Sequence, residues 1–109
     1  MSERGSLVLV ALPGDYGKPR PALVIQSNVA TALPSVVVCP LTTTMRPELP
    51  AFRVSIAPSA ENGLREPSQV MVDKPVALSR DKIRDTIGRL DAGQMAAVTS
   101  AIALLLDIA

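Results

Sequence analysis

Short runs of branched aliphatic residues recur along this chain, each ended by Pro, Gly or a polar cluster. Residues 6–12 read Ser-Leu-Val-Leu-Val-Ala-Leu between Gly5 and Pro13-Gly14, a length and branching that predict a buried strand. Residues 13–21 mix prolines, glycines and charges and predict a loop. Residues 22–27 (Ala-Leu-Val-Ile-Gln-Ser) predict a second strand, residues 28–34 a turn, and residues 35–41, with Val36-Val37-Val38, a third strand. A proline-interrupted polar loop then spans 42–50. Residues 52–56 alternate Phe-Arg-Val-Ser-Ile, as a half-buried strand does, with Arg53 and Ser55 expected outward. Further strands are expected at 69–73, at 76–78 as an edge piece after Lys74-Pro75, and within 83–90.

Only after residue 90 does the period lengthen. Asp91 is a good N-cap, Gln94 completes a capping box, and Leu90 and Met95 occupy hydrophobic-staple positions. Met95, Val98, Ile102 and Leu105 then form a stripe at helical spacing. Many short strands followed by one helix predict a single domain over residues 1–109, mainly β with a C-terminal helix, curled into a small antiparallel barrel.

Composition narrows the chemistry. The hydrophobic share of 48% supports a folded core, but Tyr16 and Phe52 are the only aromatic residues, so stacking platforms for bases are nearly absent. A net charge of +1 leaves no general nucleic-acid footprint, and any such site must concentrate Arg and Lys locally. The chain has no His, which excludes His-based metal sites, a Ser-His-Asp triad and paired-His ribonuclease chemistry. The one cysteine, Cys39, permits no internal disulfide and fits a reducing compartment, so a cytoplasmic location is expected. The apolar run at 101–106 is too short to span a bilayer, and no membrane association is expected.

Two segments could carry chemistry. In the first, a glycine-rich loop brings Lys18 and Arg20 to the start of the second strand, with Pro19 and Pro21 holding Arg20 extended. A planar guanidinium suits a phosphate clamp. On residue chemistry alone, a solvated turn with an ordinary surface Arg accounts for this segment better. In the second, the Val-rich third strand ends in Thr42-Thr43-Thr44, three hydroxyls at a rigid strand end. On their own, the high strand propensity of Thr and the solvation of a strand end account for them better. Cys39 reads as a small buried hydrophobe.

Together, Arg20-Pro21-Ala22-Leu23-Val24-Ile25-Gln26-Ser27 and the strand 36–42 resemble the MazF/PemK toxin family, with its Arg-Pro-x-Leu-Val strand and a hydrophobic strand ending in Leu-Thr. Arg4-Gly5 before the first strand, Gln69-Val70-Met71-Val72-Asp73-Lys74-Pro75, and Leu90-Asp91 with its helix also fit in order. The resemblance implies a Src-homology-3-like barrel and a metal-independent, sequence-specific endoribonuclease of a type II toxin–antitoxin system, acting on single-stranded RNA. It implies Arg20 and Thr42 as catalytic residues and matches Asp73 to a further acidic one. Met71 stands where some members carry an Arg, and their loop His is missing here. Lys18, Arg20, Thr43 and Arg46 are the expected RNA contacts. No metal and no cofactor are expected. The expected partners are single-stranded RNA, a cognate antitoxin and a second copy of the chain, meeting at the strand 36–41 or the terminal helix. Gyrase-poisoning toxins of the CcdB type share the fold, but depend on a terminal Trp-Gly-Ile that this chain lacks. A non-enzymatic protein-binding barrel is the other alternative.

Overall fold

In a computed structural model, which describes residues 3–12, 14 and 18–108, the strands are β1 (Ser6–Ala11), β2 (Pro19–Val24), β3 (Ser35–Thr42), β4 (Arg53–Ile56), β5 (Ser68–Met71), β6 (Val76–Ser79) and β7 (Ile83–Arg89). A single α-helix among the described residues, α1 (Ala92–Leu106), closes the order. Of the loop expected at 13–21, residues 13 and 15–17 lie outside the described residues, Tyr16 included. All strand pairs are antiparallel, in the order β4-β5-β3-β2-β1-β7, with β6 also on β3.

β3 organises this sheet. One edge pairs with β2; the other pairs with β6 along Ser35 to Val38 and with β5 at Leu41 and Thr42. Because side chains alternate across a strand, the Val-rich runs feed two cores. Val8, Val10, Ala22, Val24, Val36 and Val38 face one way, joined by Val76, Leu78 and Ile83. Leu7, Leu23, Cys39 and Leu41 face the other way, against Ile56, Leu64, Val70, Val72, Leu90, Val98 and Ala101.

The first core is the inside of the curl. β6 and β7 lie far apart in the ladder order, yet Val76, Leu78 and Ile83 share this core. Register shifts in the β1–β7 ladder, between Leu7 and Val8 and again between Leu9 and Val10, add the local twist that the curl needs. The expected barrel is therefore curled but not hydrogen-bonded into a ring. β6 passes to β7 through the 3-10 turn Arg80–Lys82, and Arg80 fastens that turn by donating to the carbonyls of Leu33 and Ala30.

The helix begins as expected. Gln94 donates its backbone N–H to Asp91 Oδ1 at 2.7 Å, and Gln94 Oε1 accepts from the Asp91 N–H at 3.0 Å. Val98 and Ala101 are buried, with Met95 and Ile102 packed beside them. The stripe ends there: Leu104 and Leu106 are 59% and 57% exposed. Leu105 lies outside the core rather than continuing the stripe.

Two boundaries and one facing differ from expectation. β2 starts at Pro19, three residues early, because proline's fixed φ is compatible with extended backbone and pairing with β3 begins only at Ala22. β5 stops at Met71, where the chain turns through Val72 and Asp73. Arg53 is buried rather than outward, for a reason given by its partner below.

The loop before β5 is wired by one side chain. Asn62 is 1% exposed; its Oδ1 accepts from Ser59 and Leu64 N–H, and its Nδ2 donates to the Ala57 carbonyl. The loop lies directly on β7, so a Cβ on Gly88 would stand 2.4 Å from Glu61 O and from Asn62 C. Gly88→Ala is expected to destabilise the fold by about 1–3 kcal/mol, since backbone rather than a movable side chain blocks the methyl group. Urea unfolding measures this, and an unchanged midpoint would contradict the contact.

Candidate functional site

The inward rows of β1, β2 and β3 run out of core at the same end of the sheet. The β2–β3 register pairs Val24 with Val38 and Ala22 with Pro40; continued by two residues, it brings Arg20 level with Thr42. On the other side Arg20 pairs with Val10 of β1. Leu12, Arg20, Pro40 and Thr42 thus extend the inward rows beyond the Val core, into a cleft of about 370 Å³. Pro21, Leu41, Thr43, Thr44, Ser68 and Met71 complete its lining.

The polar groups in the cleft are rigidly mounted. Pro19 and Pro21 restrict the backbone on either side of Arg20, whose side chain is exposed at the mouth. Thr42 Oγ1 accepts from the Thr44 N–H at 3.1 Å, which orients the hydroxyl and leaves its hydrogen to be donated. Thr43 lines the cleft from an exposed position. The sequence reading missed Ser68, which is buried and donates to the Glu66 carbonyl at 3.0 Å. Only the β3–β5 pairing, which no local pattern encodes, brings it here.

The other expected site residues lie elsewhere. Lys18 is exposed just before β2 and is not part of the cleft lining. Arg46 sits in the loop after β3. Its N–H donates to Gln69 Oε1 at 2.8 Å, and its guanidinium pairs with Glu48 at 3.3 Å. Arg53, expected outward on its strand, is buried against Asp73: Nε donates to Oδ1 at 2.8 Å and a terminal nitrogen to Oδ2 at 3.3 Å. Asp73 therefore neutralises a buried cation and does not line the cleft. The hydrogen bonds from Arg53 hold the Asp73 carboxyl below the usual carboxylate range. Burial, and then the charge of Asp73, push the Cys39 thiol up to about 11, so it stays protonated and inert at neutral pH. No group of three His, Cys, Asp or Glu able to hold a metal ion occurs among the described residues.

The curled sheet with its C-terminal helix is the fold of MazF toxins of known structure. The chain belongs to the PemK-like, MazF-like toxins of type II toxin–antitoxin systems, whose family model matches residues 3–106. It is 36% identical over 107 residues to a protein named probable endoribonuclease MazF from Mycolicibacterium smegmatis (strain ATCC 700084 / mc(2)155), covering 97% of each chain. Among solved structures it is similar to the Mycobacterium tuberculosis toxin MazF-mt6, with a TM-score of 0.81 and 31% identity, over 95% of this chain and 98% of that one. An endoribonuclease in complex with its cognate antitoxin from mycobacterial species matches with a TM-score of 0.84 and 24% identity, over 100% of this chain and 98% of that one.

The Arg53–Asp73 pair yields a prediction about stability. A depressed folded pKa means that the ionised Asp73 stabilises the fold above the ordinary carboxylate range, and that this contribution is lost as pH falls through the folded value. Asp73→Asn is expected to cost about 3 kcal/mol at pH 7, since it leaves Arg53 buried without its counter-charge. The gap to the parent protein should narrow below about pH 4. Denaturant unfolding across pH measures both, and a pH-independent gap would contradict the ion pair.

Proposed function

We propose that this toxin is a sequence-specific endoribonuclease that cleaves single-stranded RNA without a metal ion, at the cleft that holds Arg20 and Thr42. The observation that carries this reading is the common placement of a guanidinium and an oriented hydroxyl, level on adjacent strands, in one cleft. The naming of the mycobacterial relative as a probable endoribonuclease supports it.

The chemistry follows from these two groups. The 2′-oxygen of a ribose attacks the adjacent phosphorus; the bond to the 5′-oxygen of the next nucleotide breaks. The products are a 2′,3′-cyclic phosphate and a 5′-hydroxyl. The 2′-hydroxyl loses its proton to solvent, and the leaving oxygen takes one up. Negative charge grows on the non-bridging oxygens, where the Arg20 guanidinium stabilises it through fixed donors. Thr42 donates to the same phosphate and holds it in line. Arg20 is no base at neutral pH, because its pKa is far too high. Asp73 is assigned a structural role with Arg53 rather than that of general base. Lys18, Thr43 and Arg46 add attraction for the RNA backbone, weakened by salt.

A cognate antitoxin is the expected protein partner, a reading supported by the antitoxin-bound relative. It would lie across the same cationic cleft and exclude RNA. A second copy of the chain is expected at the end of α1. The strand 36–41, the other surface considered, is already enclosed: Val36, Val38, Cys39 and Leu41 are at most 6% exposed. Leu104, Leu106 and Ile108 instead present apolar surface to solvent. No described helix is long and apolar enough to cross a membrane, which accords with a cytoplasmic site of action.

Two measurements test these points. Arg20→Lys keeps the charge but loses the planar fork. The variant is expected to fold and to lose about 100- to 1000-fold in cleavage of single-stranded RNA, measured with excess chelator present throughout. Chelator-sensitive cleavage by the parent protein, or full activity in the variant, would overturn the mechanism. Leu106→Glu is expected to weaken self-association by at least about tenfold, read by light scattering across a concentration series, because it places a charge in the covered apolar patch.

A further inference from the structure

A second cavity, of about 400 Å³, adjoins the Arg20–Thr42 cleft and shares Pro21, Thr43 and Ser68 with it. Its walls are aliphatic: Leu9, Leu64 and Ile87 line it beside Pro21. Two charged side chains, Arg65 and Glu66, stand at its rim, both solvent-exposed. Among the described residues, neither takes part in a hydrogen bond or ion pair through its side chain. The rim charges are therefore available to a ligand.

This cavity is a built feature rather than a gap between loose segments. The loop that forms one wall is held by Asn62, whose amide bonds the backbone of Ala57, Ser59 and Leu64. The Arg89 N–H donates to the Glu61 carbonyl at 3.0 Å and ties the loop to β7. Gly63 has φ +70°, and a Cβ there would stand 2.2 Å from Ile87 O. Loop and strand are pressed together along the wall that carries Leu64 and Ile87.

An apolar slot with a charged rim, sharing one side with a phosphate site, has the shape and chemistry of a nucleobase subsite. A base needs apolar surface for its faces and hydrogen-bonding groups at its edge. Aromatic stacking is scarce in this chain, so aliphatic walls must supply the surface. A chain threading the cleft with its scissile phosphate at Arg20 and Thr42 carries a base on each side of that phosphate, and Thr43 and Pro21 lie between the two cavities. We infer that the cavity between Leu9, Leu64 and Ile87 binds one base flanking the scissile phosphate, and that Arg65 and Glu66 read its edge. The inference rests on the ribonuclease reading above and adds the residues that select the sequence.

The rim predicts which bases fit. A carboxylate only accepts hydrogen bonds, and a guanidinium only donates them. Together they match an edge that sets a donor beside an acceptor; where that edge lies on the ring differs between cytosine, adenine, guanine and uracil, and this difference is what the rim reads.

The test is cleavage of a randomised single-stranded RNA pool by the full-length protein, with the cut ends sequenced. The parent protein is expected to show a base preference at one position flanking the cut. In Glu66→Gln and Arg65→Ala, discrimination at that position should fall by about tenfold while the preferences at other positions persist. Both residues are exposed, and matching thermal midpoints would confirm that the variants fold. If the parent protein cuts but shows no base preference beside the cut, or if both folded variants keep its preferences at every position, the subsite is wrong and the ribonuclease reading survives. If the parent protein does not cut RNA at all, both fall together.

Discussion

β3 has to be apolar on both faces and paired along both edges, and the rest of the fold is arranged around that demand. Val36 and Val38 point into the curl, while Cys39 and Leu41 point into the layer under α1. A strand buried on both faces leaves no room for polar side chains until it ends. It ends at Thr42, where pairing with β5 passes from Leu41 to the last residue of the strand. The first polar side chain on the inward row of β3 is therefore also the first that can meet a ligand. The same holds on β2, where the inward row of Val24 and Ala22 reaches Arg20. The cleft is the place where two apolar rows run out together, and the register between them decides that an arginine and a threonine arrive level.

This explains what was legible in the sequence and what was not. The valine runs reveal β1 and β3, and the capping box reveals α1, because local signals specify them. The position of Arg20 beside Thr42 depends on register, which residue patterns do not state; only the resemblance to a known family joined the two segments. The start of β2 was misread because prolines usually signal a loop, whereas here they pair with β1 as part of an extended strand. Arg53 was expected outward from strict alternation. Alternation gives the face of a strand but not what lies over that face, and Asp73, brought in by the β4–β5 hairpin and the turn after it, covers this one. Ser68 carried no local signal at all.

The fates of Arg20 and Arg53 separate two uses of the same side chain. Arg53 is 8% exposed and spends its fork on a carboxylate; the pair satisfies both charges, and replacing one partner alone exposes the desolvation cost of the other. Arg20 stands at the mouth of a cleft, on a strand stiffened by prolines. Exchanging these environments would strand a charge in the core. The match of Asp73 to a catalytic acid is thus reinterpreted: its carboxylate answers a buried cation that the sequence reading placed at the surface.

The scarcity of aromatic residues has a consequence beyond the core. Single-strand binders commonly gain affinity by stacking bases on Tyr, Phe or Trp, which tolerates any sequence because every base has a π face. Phe52, the only aromatic among the described residues, lines neither cavity. A site without such platforms has to hold RNA through its phosphates and through apolar slots with polar rims. Phosphate contacts position the strand but carry no sequence information, so discrimination falls to the rims. On the proposed reading, with few sequence-tolerant contacts, the strands that stay long enough to react would be those whose bases satisfy the groups lining the cavity beside the cleft.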